Sequence, residues 1–197
     1  MKMKYNVILA DPPWDQKAGR KLDSYKVESG RQIWNSKNTE SEKLPYPTMT
    51  VDEIASLPVK NICEKDAHLF LWVTNKYLLK ASKVIKAWGF RYVATITWKK
   101  KRRGGGLGGL VRITSEHLLF CRRGHLKAIG SIPESVIEAK RPYKNGYPRH
   151  SAKPDIFWEL IEKASPGRKI ELFARNRRTG WDAWGNEVDS DIDLLGE

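Results

Sequence analysis

The sequence predicts an α/β fold in which a mostly parallel sheet is covered by helices on both faces. Three observations carry that expectation. Short, nearly continuous apolar runs recur along the chain, as strands buried on both faces require. Segments with apolar residues at helical spacing fall between them. The first apolar run also ends abruptly in Asp11-Pro12-Pro13, a turn stiffened by two prolines. In sheets of this kind ligands bind beyond the carboxyl ends of the strands.

Taken in order, Tyr5 to Ala10 reads as a buried strand. Asp15 to Pro45 is polar without periodicity and reads as a long loop, a length usually tied to function. Thr50-Val51-Asp52-Glu53 fits a capping box ahead of a short helix through Leu57, which Pro58 ends. Ala67 to Val73 is a second buried strand. Tyr77, Leu78, Ala81, Val84, Ile85 and Trp88 recur at helical spacing, with Gly89 placed as a C-terminal cap. Arg91 to Trp98, rich in β-branched and aromatic residues, is a third strand, and Glu116 to Cys121 a fourth. Ser131 to Tyr147 is weakly patterned. Pro154 stands near the start of a helix carrying Ile156, Phe157, Leu160, Ile161 and Ala164, closed by Gly167. Lys169 to Ala174 is the fifth strand. Asp11 and Arg175 each directly follow a strand, which allows both to line one crevice. With no repeat or boundary, residues 1–197 read as a single domain, with mobile loops at 15–45 and 99–112 and an acidic tail at 188–197.

A net charge of +13 favours a polyanionic partner. The charge is segregated. From Ala67 to Ser115 there are eleven Lys or Arg and no Asp or Glu, densest at Lys99-Lys100-Lys101-Arg102-Arg103. That run is expected to face phosphates. Most of the eight tryptophans are expected in the core. Cys63 and Cys121 form neither a disulfide framework nor a zinc pattern, and the four histidines lack metal-ligand spacing, so no metal is expected. No signal peptide and no membrane-length apolar run is recognisable, which gives a cytoplasmic expectation. Gly104 to Gly109 formally contains G-x-G-x-x-G. It follows five cations and precedes a strand-like segment, so the dinucleotide reading fails and a loop remains.

Asp11-Pro12-Pro13-Trp14 is suited to one chemistry in particular. The lone pair of an adenine amine is delocalised into its ring. Acceptors on the amine hydrogens draw the nitrogen towards tetrahedral geometry and free that pair, while an aromatic ring grips the base outside the stack. Asp11, the Pro12 carbonyl and Trp14 supply these parts, with Pro12 and Pro13 holding the turn rigid.

These residues, with others further on, resemble the MT-A70 family of adenine-N6 methyltransferases in its bacterial or phage form. The matching blocks follow one order: Ala10 to Trp14, Tyr46-Pro47-Thr48-Met49, Leu69 to Thr74, Trp98 with Lys99 or Lys100, Arg112 and Glu116, His150-Ser151 with Lys153-Pro154, Glu171 to Arg175, and Gly180-Trp181 with Trp184 to Glu187. The resemblance implies a Rossmann-like methyltransferase fold with permuted motif order, the catalytic motif near the N-terminus and the cofactor motifs near the C-terminus. It implies S-adenosylmethionine as cofactor, held by Asp11, Lys153, Arg175, Asn186 and Glu187, with Arg177 and Arg178 at further cofactor positions where the residue types differ from the family's. Tyr46, Lys99, Lys100, Lys101, Arg102, Arg103 and Arg112 are the expected nucleic-acid contacts. DNA is the expected polymer, with RNA as the alternative, and both homodimer and heterodimer fit. A silent nucleic-acid-binding subunit is a competing reading, but such members lack the catalytic Asp or the aromatic, which stand here. Cytosine or glutamine acceptors go with Ser-Pro-Pro-Tyr or Asn-Pro-Pro-Tyr, whereas Asp with Trp points to adenine.

Overall fold

A computed structural model describes residues 3–15, 26–28, 31–33, 48–101, 110–111, 113–144, 147–148 and 152–195. The elements in chain order are β1 (Tyr5–Ala10), β2 (Lys26–Glu28), β3 (Arg31–Ile33), α1 (Val51–Ser56), α2 (Val59–Ile62), β4 (Cys63–Val73), α3 (Ala81–Ala87), β5 (Arg91–Lys100) and β6 (Ser115–Arg123). They continue with β7 (Val136–Ala139), β8 (Tyr143–Lys144), β9 (Tyr147–Pro148), α4 (Ile156–Ala164), β10 (Lys169–Leu172) and β11 (Asp182–Trp184).

Seven strands form one sheet in the order β11-β10-β1-β4-β6-β5-β7. All pairings are parallel except those of β6, which runs antiparallel to both β4 and β5. This is the mostly parallel α/β sheet that the apolar runs predict. The reversal arises because β5 returns directly through β6, while β4 reaches β5 through α3.

Side-chain alternation divides the core in two. Ile8, Leu69, Leu71, Val73 and Ile170 face Ile54 of α1 and Val84 and Ile85 of α3. Val7, Leu9, Phe70, Trp72, Ile96 and Leu118 face Phe157, Trp158 and Ile161 of α4. The strands are thus buried on both sides, which is why β1 and β4 read as continuous apolar runs rather than alternating ones.

The local signals act as the sequence predicts. Thr50 and Glu53 close a reciprocal capping box on α1. Gly167 adopts φ 93° after α4, where Asn6 leaves no room for a side chain. Several boundaries differ. A 3₁₀ turn, Asn75–Tyr77, precedes α3, so the helix starts later than its apolar spacing suggests. β5 extends through Lys100, so Lys99 and Lys100 belong to a strand rather than to a 99–112 loop. β10 stops at Leu172 because Phe173 turns to φ 64°. No helix among the described residues is long and apolar enough to cross a membrane.

Candidate active site

Three neighbouring strand ends build the site. β10, β1 and β4 lie side by side, and Asp11, Thr74 and Phe173 to Arg175 follow them directly. Asp11 and Arg175 therefore do line one crevice. The Asp11 backbone N–H donates to the Leu172 carbonyl (3.4 Å), carrying the sheet ladder into the Asp-Pro-Pro turn. The Trp14 N–H donates to the Pro12 carbonyl (2.8 Å) and the Met49 N–H to the Pro13 carbonyl (2.8 Å). Neither proline has an N–H to satisfy. The Pro12 oxygen keeps a second lone pair for a further donor.

Trp14 requires a correction. Its side chain is only 3% exposed. The indole N–H donates to the Trp72 carbonyl (2.9 Å), and the ring stacks on Tyr77 with centroids 5.1 Å apart. The Tyr77 hydroxyl donates in turn to the Asp15 carbonyl. A ring so covered anchors the turn instead of offering an open face to a base, although one part of it reaches a small pocket with Asp11, Pro12 and Pro13.

Beneath the turn lies a chain of alternating charges. The Lys153 ammonium sits 2.5 Å from Asp11 Oδ2, 3.5 Å from Glu116 Oε2 and 5.3 Å from the Trp72 ring centroid. Glu116 also pairs with Lys100. The Lys153 side chain is 6% exposed, while Asp11 keeps 24% of its side-chain surface accessible. Burial pushes the Asp11 carboxyl above its ordinary range, and Lys153 only partly pulls it back. Burial also works against the ionised Glu116, but there Lys153 and Lys100 prevail and hold it below the usual carboxylate range. Burial opposes the charge on Lys153 too, but Asp11 and Glu116 outweigh it and keep Lys153 a cation, above the ordinary lysine value. Two buried donors here, Trp72 Nε1 and Thr74 Oγ1, have no partner among the described residues, an arrangement that a bound polar group relieves.

The Asp11–Lys153 pair stands where two cavities meet. One, of about 360 Å³, is walled by Trp158, Glu171, Phe173, Arg175, Arg177 and Arg178. The other, of about 80 Å³, is walled by Pro12, Pro13, Trp14 and Glu116. Asp11, Trp72, Lys153 and Arg175 belong to both. Burial pushes the Glu171 carboxyl up to about 7 against the hydrogen bond it accepts from Trp158 Nε1 (3.0 Å). Phe173, also in the wall, has a left-handed backbone, a conformation costing a bulky residue roughly 1–3 kcal/mol and concentrated at functional sites. The turn it makes leaves Ala174 against Gly185, where a Cβ would lie 2.3 Å from the Ala174 oxygen.

The other expected residues divide. Arg175 Nε meets Glu187 (3.5 Å). Arg177 bonds the Asp189 carbonyl and Asp191 (each 2.5 Å), and Arg178 pairs with Asp155 and lies over the Trp158 ring. Asn186 and Glu187 are exposed beyond β11 and do not line the large cavity. Lys99 and Lys101 pair with Glu138 of β7 (2.8 and 3.7 Å). Strand alternation sends Lys100 the other way, into the chain of charges, so the three described lysines of the run do not share one face. Tyr46, Arg102, Arg103, Arg112, His150 and Ser151, with residues 16–25, 29–30 and 34–45 of the expected loop, lie outside the described residues.

Sequence reasoning missed Glu116, Glu171 and Trp72 as site residues. All three stand in blocks that resemble the family, and Glu171 carried a further signal, an acid inside the apolar run Ile170-Glu171-Leu172 at a strand end. Among the described residues no group of three or more His, Cys, Asp or Glu could hold a metal ion.

The MT-A70 family model matches residues 5–187. The type II methyltransferase M.MunI of Mycoplasma sp is 32% identical, over 97% of this chain and 81% of that protein. The N(6)-adenosine-methyltransferase MT-A70-like of Arabidopsis thaliana is 29% identical, over 98% of this chain but 25% of its own length. The human N(6)-adenosine-methyltransferase catalytic subunit METTL3 is 31% identical, again over 98% of this chain and 29% of its own length. With the family pattern running through both cavity walls and nearly the whole chain, this protein belongs to the MT-A70 family.

Proposed function

We propose that this methyltransferase transfers a methyl group from S-adenosylmethionine to the N6 amine of adenine in DNA, within a single domain. The observation that carries the reading is the position of Asp11, on a rigid turn between a larger and a smaller cavity and paired with a buried lysine. The names of the human and Arabidopsis relatives, both N(6)-adenosine-methyltransferases, support adenine N6 as acceptor.

The larger cavity suits the cofactor chemically. Its wall offers carboxylates for a cation, lysine and arginine for a carboxylate, and aromatic faces for a purine. Lys153, Arg175 and Glu171 are the residues proposed to hold the cofactor, with Arg177 and Arg178 at the rim. Asn186 and Glu187 stay in the proposal as a flank reached through the Arg175–Glu187 contact. Bound S-adenosylmethionine supplies a methyl group on a sulfonium centre, an electrophile that needs no metal.

The chain's own work is to prepare the acceptor. Asp11 accepts a hydrogen bond from the amine, and the free lone pair of the Pro12 carbonyl accepts the second. Together they draw the nitrogen lone pair out of the ring. Lys153 holds the Asp11 carboxylate in place, and Glu116 with Lys100 holds Lys153. The prolines and Trp14 keep the acceptors from moving as charge develops.

The test is transfer from labelled S-adenosylmethionine to matched DNA and RNA oligonucleotides, single- and double-stranded, followed by nucleoside analysis. Label recovered as N6-methyladenine, greatest on DNA, is the expected result. Greater label on RNA replaces the polymer. Cofactor bound with no label on any oligonucleotide points to a missing partner or to a specific site absent from the panel, and no cofactor binding at all moves the reading to the binding-only subunit.

A further inference from the structure

The small cavity contains a hydroxyl group that the fold does not use. Thr74 directly follows β4. β1 and β4 pair side by side up to Ala10 and Leu71, so the Asp-Pro-Pro turn and the segment from Trp72 to Thr74 leave the sheet together. Thr74 then lines the same cavity as Asp11, Pro12 and Pro13.

Thr74 also occupies the capping position ahead of the 3₁₀ turn Asn75–Tyr77. A threonine at such a position ordinarily accepts a hydrogen bond from a backbone N–H of the first turn. Thr50, placed likewise ahead of α1, accepts one from the Glu53 N–H (3.2 Å). Thr74 does not. The Tyr77 N–H donates to the Thr74 backbone carbonyl (3.0 Å), and the Thr74 side chain makes no capping bond. Its Oγ1 is buried and has no partner among the described residues. Such a hydroxyl costs stability, because its bonds to water are lost and not replaced. Trp72 Nε1, the other donor in this state at the site, belongs to a side chain that borders both cavities, whereas Thr74 borders only the smaller of the two.

The acceptor's chemistry decides what the hydroxyl meets. The adenine amine carries two hydrogens, and Asp11 and the Pro12 carbonyl take them. The ring nitrogens on either side of the amine, N1 and N7, can only accept a hydrogen bond. A threonine hydroxyl can donate one. Two acceptors for the amine and a donor in the same wall therefore match an amine with a ring nitrogen beside it.

We propose that the Thr74 hydroxyl donates to a ring nitrogen flanking the amine, N1 or N7, and so holds the base in the plane in which its amine meets Asp11. This rests on the adenine reading above and adds a residue that contacts the base edge. The hydroxyl gains its partner only when the base is bound, so the contact favours the complex over the free protein.

The experiment uses the full chain and an oligonucleotide that the wild type methylates, with the target adenine replaced in turn by 7-deazaadenine and 1-deazaadenine. The wild type, Thr74→Val and Thr74→Ser are compared in transfer from labelled S-adenosylmethionine, with melting temperature and cofactor affinity measured alongside. Valine keeps the shape and lacks the hydroxyl, and serine keeps the hydroxyl. On adenine, Thr74→Val is expected to lower kcat/KM on the order of tenfold, and Thr74→Ser to stay within about threefold of wild type. On the deaza base that lacks the partner nitrogen, the wild type should fall to the level of Thr74→Val. On the other deaza base the difference between the two should persist. Thr74→Val should melt no lower than wild type, since it removes a buried hydroxyl without a partner, and cofactor affinity should not change. Full activity of Thr74→Val on adenine, or a wild-type advantage of the same size on all three bases, overturns the assignment while wild-type transfer to adenine stands. A Thr74→Val chain that melts lower and loses equally on all three bases makes the hydroxyl structural and overturns it too. A wild type that methylates no adenine in any oligonucleotide overturns both readings.

Discussion

The two sides of the large cavity hold their charges differently. On the β1 side, Asp11, Lys153, Glu116 and Lys100 form an alternating chain with side chains 6–24% exposed. On the β10–β11 side, Arg177 and Arg178 point to Asp191 and Asp155, with much of the pairs in solvent. Asp11, Glu116 and Lys100 of the first group sit at strand ends and Lys153 just ahead of α4, whereas the second group sits on a turn. A buried pair is expensive to break because one charge is then stranded, whereas an exposed pair exchanges readily with water. The β1 side is thus built to hold atoms still, and the arginine side to adapt to what it binds.

The largest expected effect tests the rigid side. Asp11→Ala should lower the methyl-transfer rate on the order of 10³-fold, since the positioned acceptor is lost while most of the cavity wall remains. Single-turnover rates, with cofactor binding measured separately, check this. A rate within tenfold of wild type removes Asp11 from the chemistry. Next is Lys153→Met, which leaves Asp11 and Glu116 buried without the cation between them. Breaking a buried pair costs about 3–5 kcal/mol. The loss should be greater at pH 8 than at pH 5, where the stranded carboxylates can take up protons. Thermal melts at both values test it, and equal losses would mean that the cluster is not electrostatically coupled.

The same contrast explains what could be read from the chain. β1 and β4 were legible because burial on both faces writes an unbroken apolar run. The capping box of α1 and Gly167 were legible because each is a local bargain between side chain and backbone. β7 and β11 were not. β7 is an edge strand with a half-exposed pattern, and β11 has three residues, too few to show a period. That Asp11 and Arg175 share a crevice was legible because each comes at or shortly after a strand end, Arg175 three residues past β10. Glu116, which follows the basic and glycine-rich stretch, is half-buried because antiparallel β6 sets Glu116 opposite Trp98 and Lys100 turns inward. The contacts of Trp14 were not legible, since the Trp72 carbonyl that accepts from its indole N–H is 58 residues away.

Glu171 stands between the two regimes. Its carboxyl titrates near 7 when folded, against 4.5 ordinarily, because burial outweighs the Trp158 hydrogen bond. Between roughly pH 4.5 and 7 the folded state holds a proton that the unfolded chain has released, so stability falls as pH rises through that window. At ~1.4 kcal/mol per pH unit, this amounts to roughly 3 kcal/mol above pH 7. Glu171→Gln keeps an acceptor for Trp158 and removes the charge. It should melt higher than wild type at pH 8 and equally at pH 4.5, with weaker cofactor binding if the carboxylate meets the cofactor's cation. An unchanged pH profile would show that another group titrates in the window.

The smallest effect should come from the arginine side. Arg177→Ala removes one partner of Asp191, but Asp191 also accepts from the Ala183 N–H (2.8 Å), so the β11 turn keeps a tether. The guanidinium is solvated, and its favourable partners hold it firmly protonated without making it part of the core. Melting temperature should not change measurably, and cofactor affinity should fall by less than about fivefold. Isothermal titration of the variant against Lys153→Met makes the comparison directly. A loss from Arg177→Ala as large as that from Lys153→Met would show that the turn is as preorganised as the strand ends, and that solvent exposure does not separate binding from chemistry in this cavity.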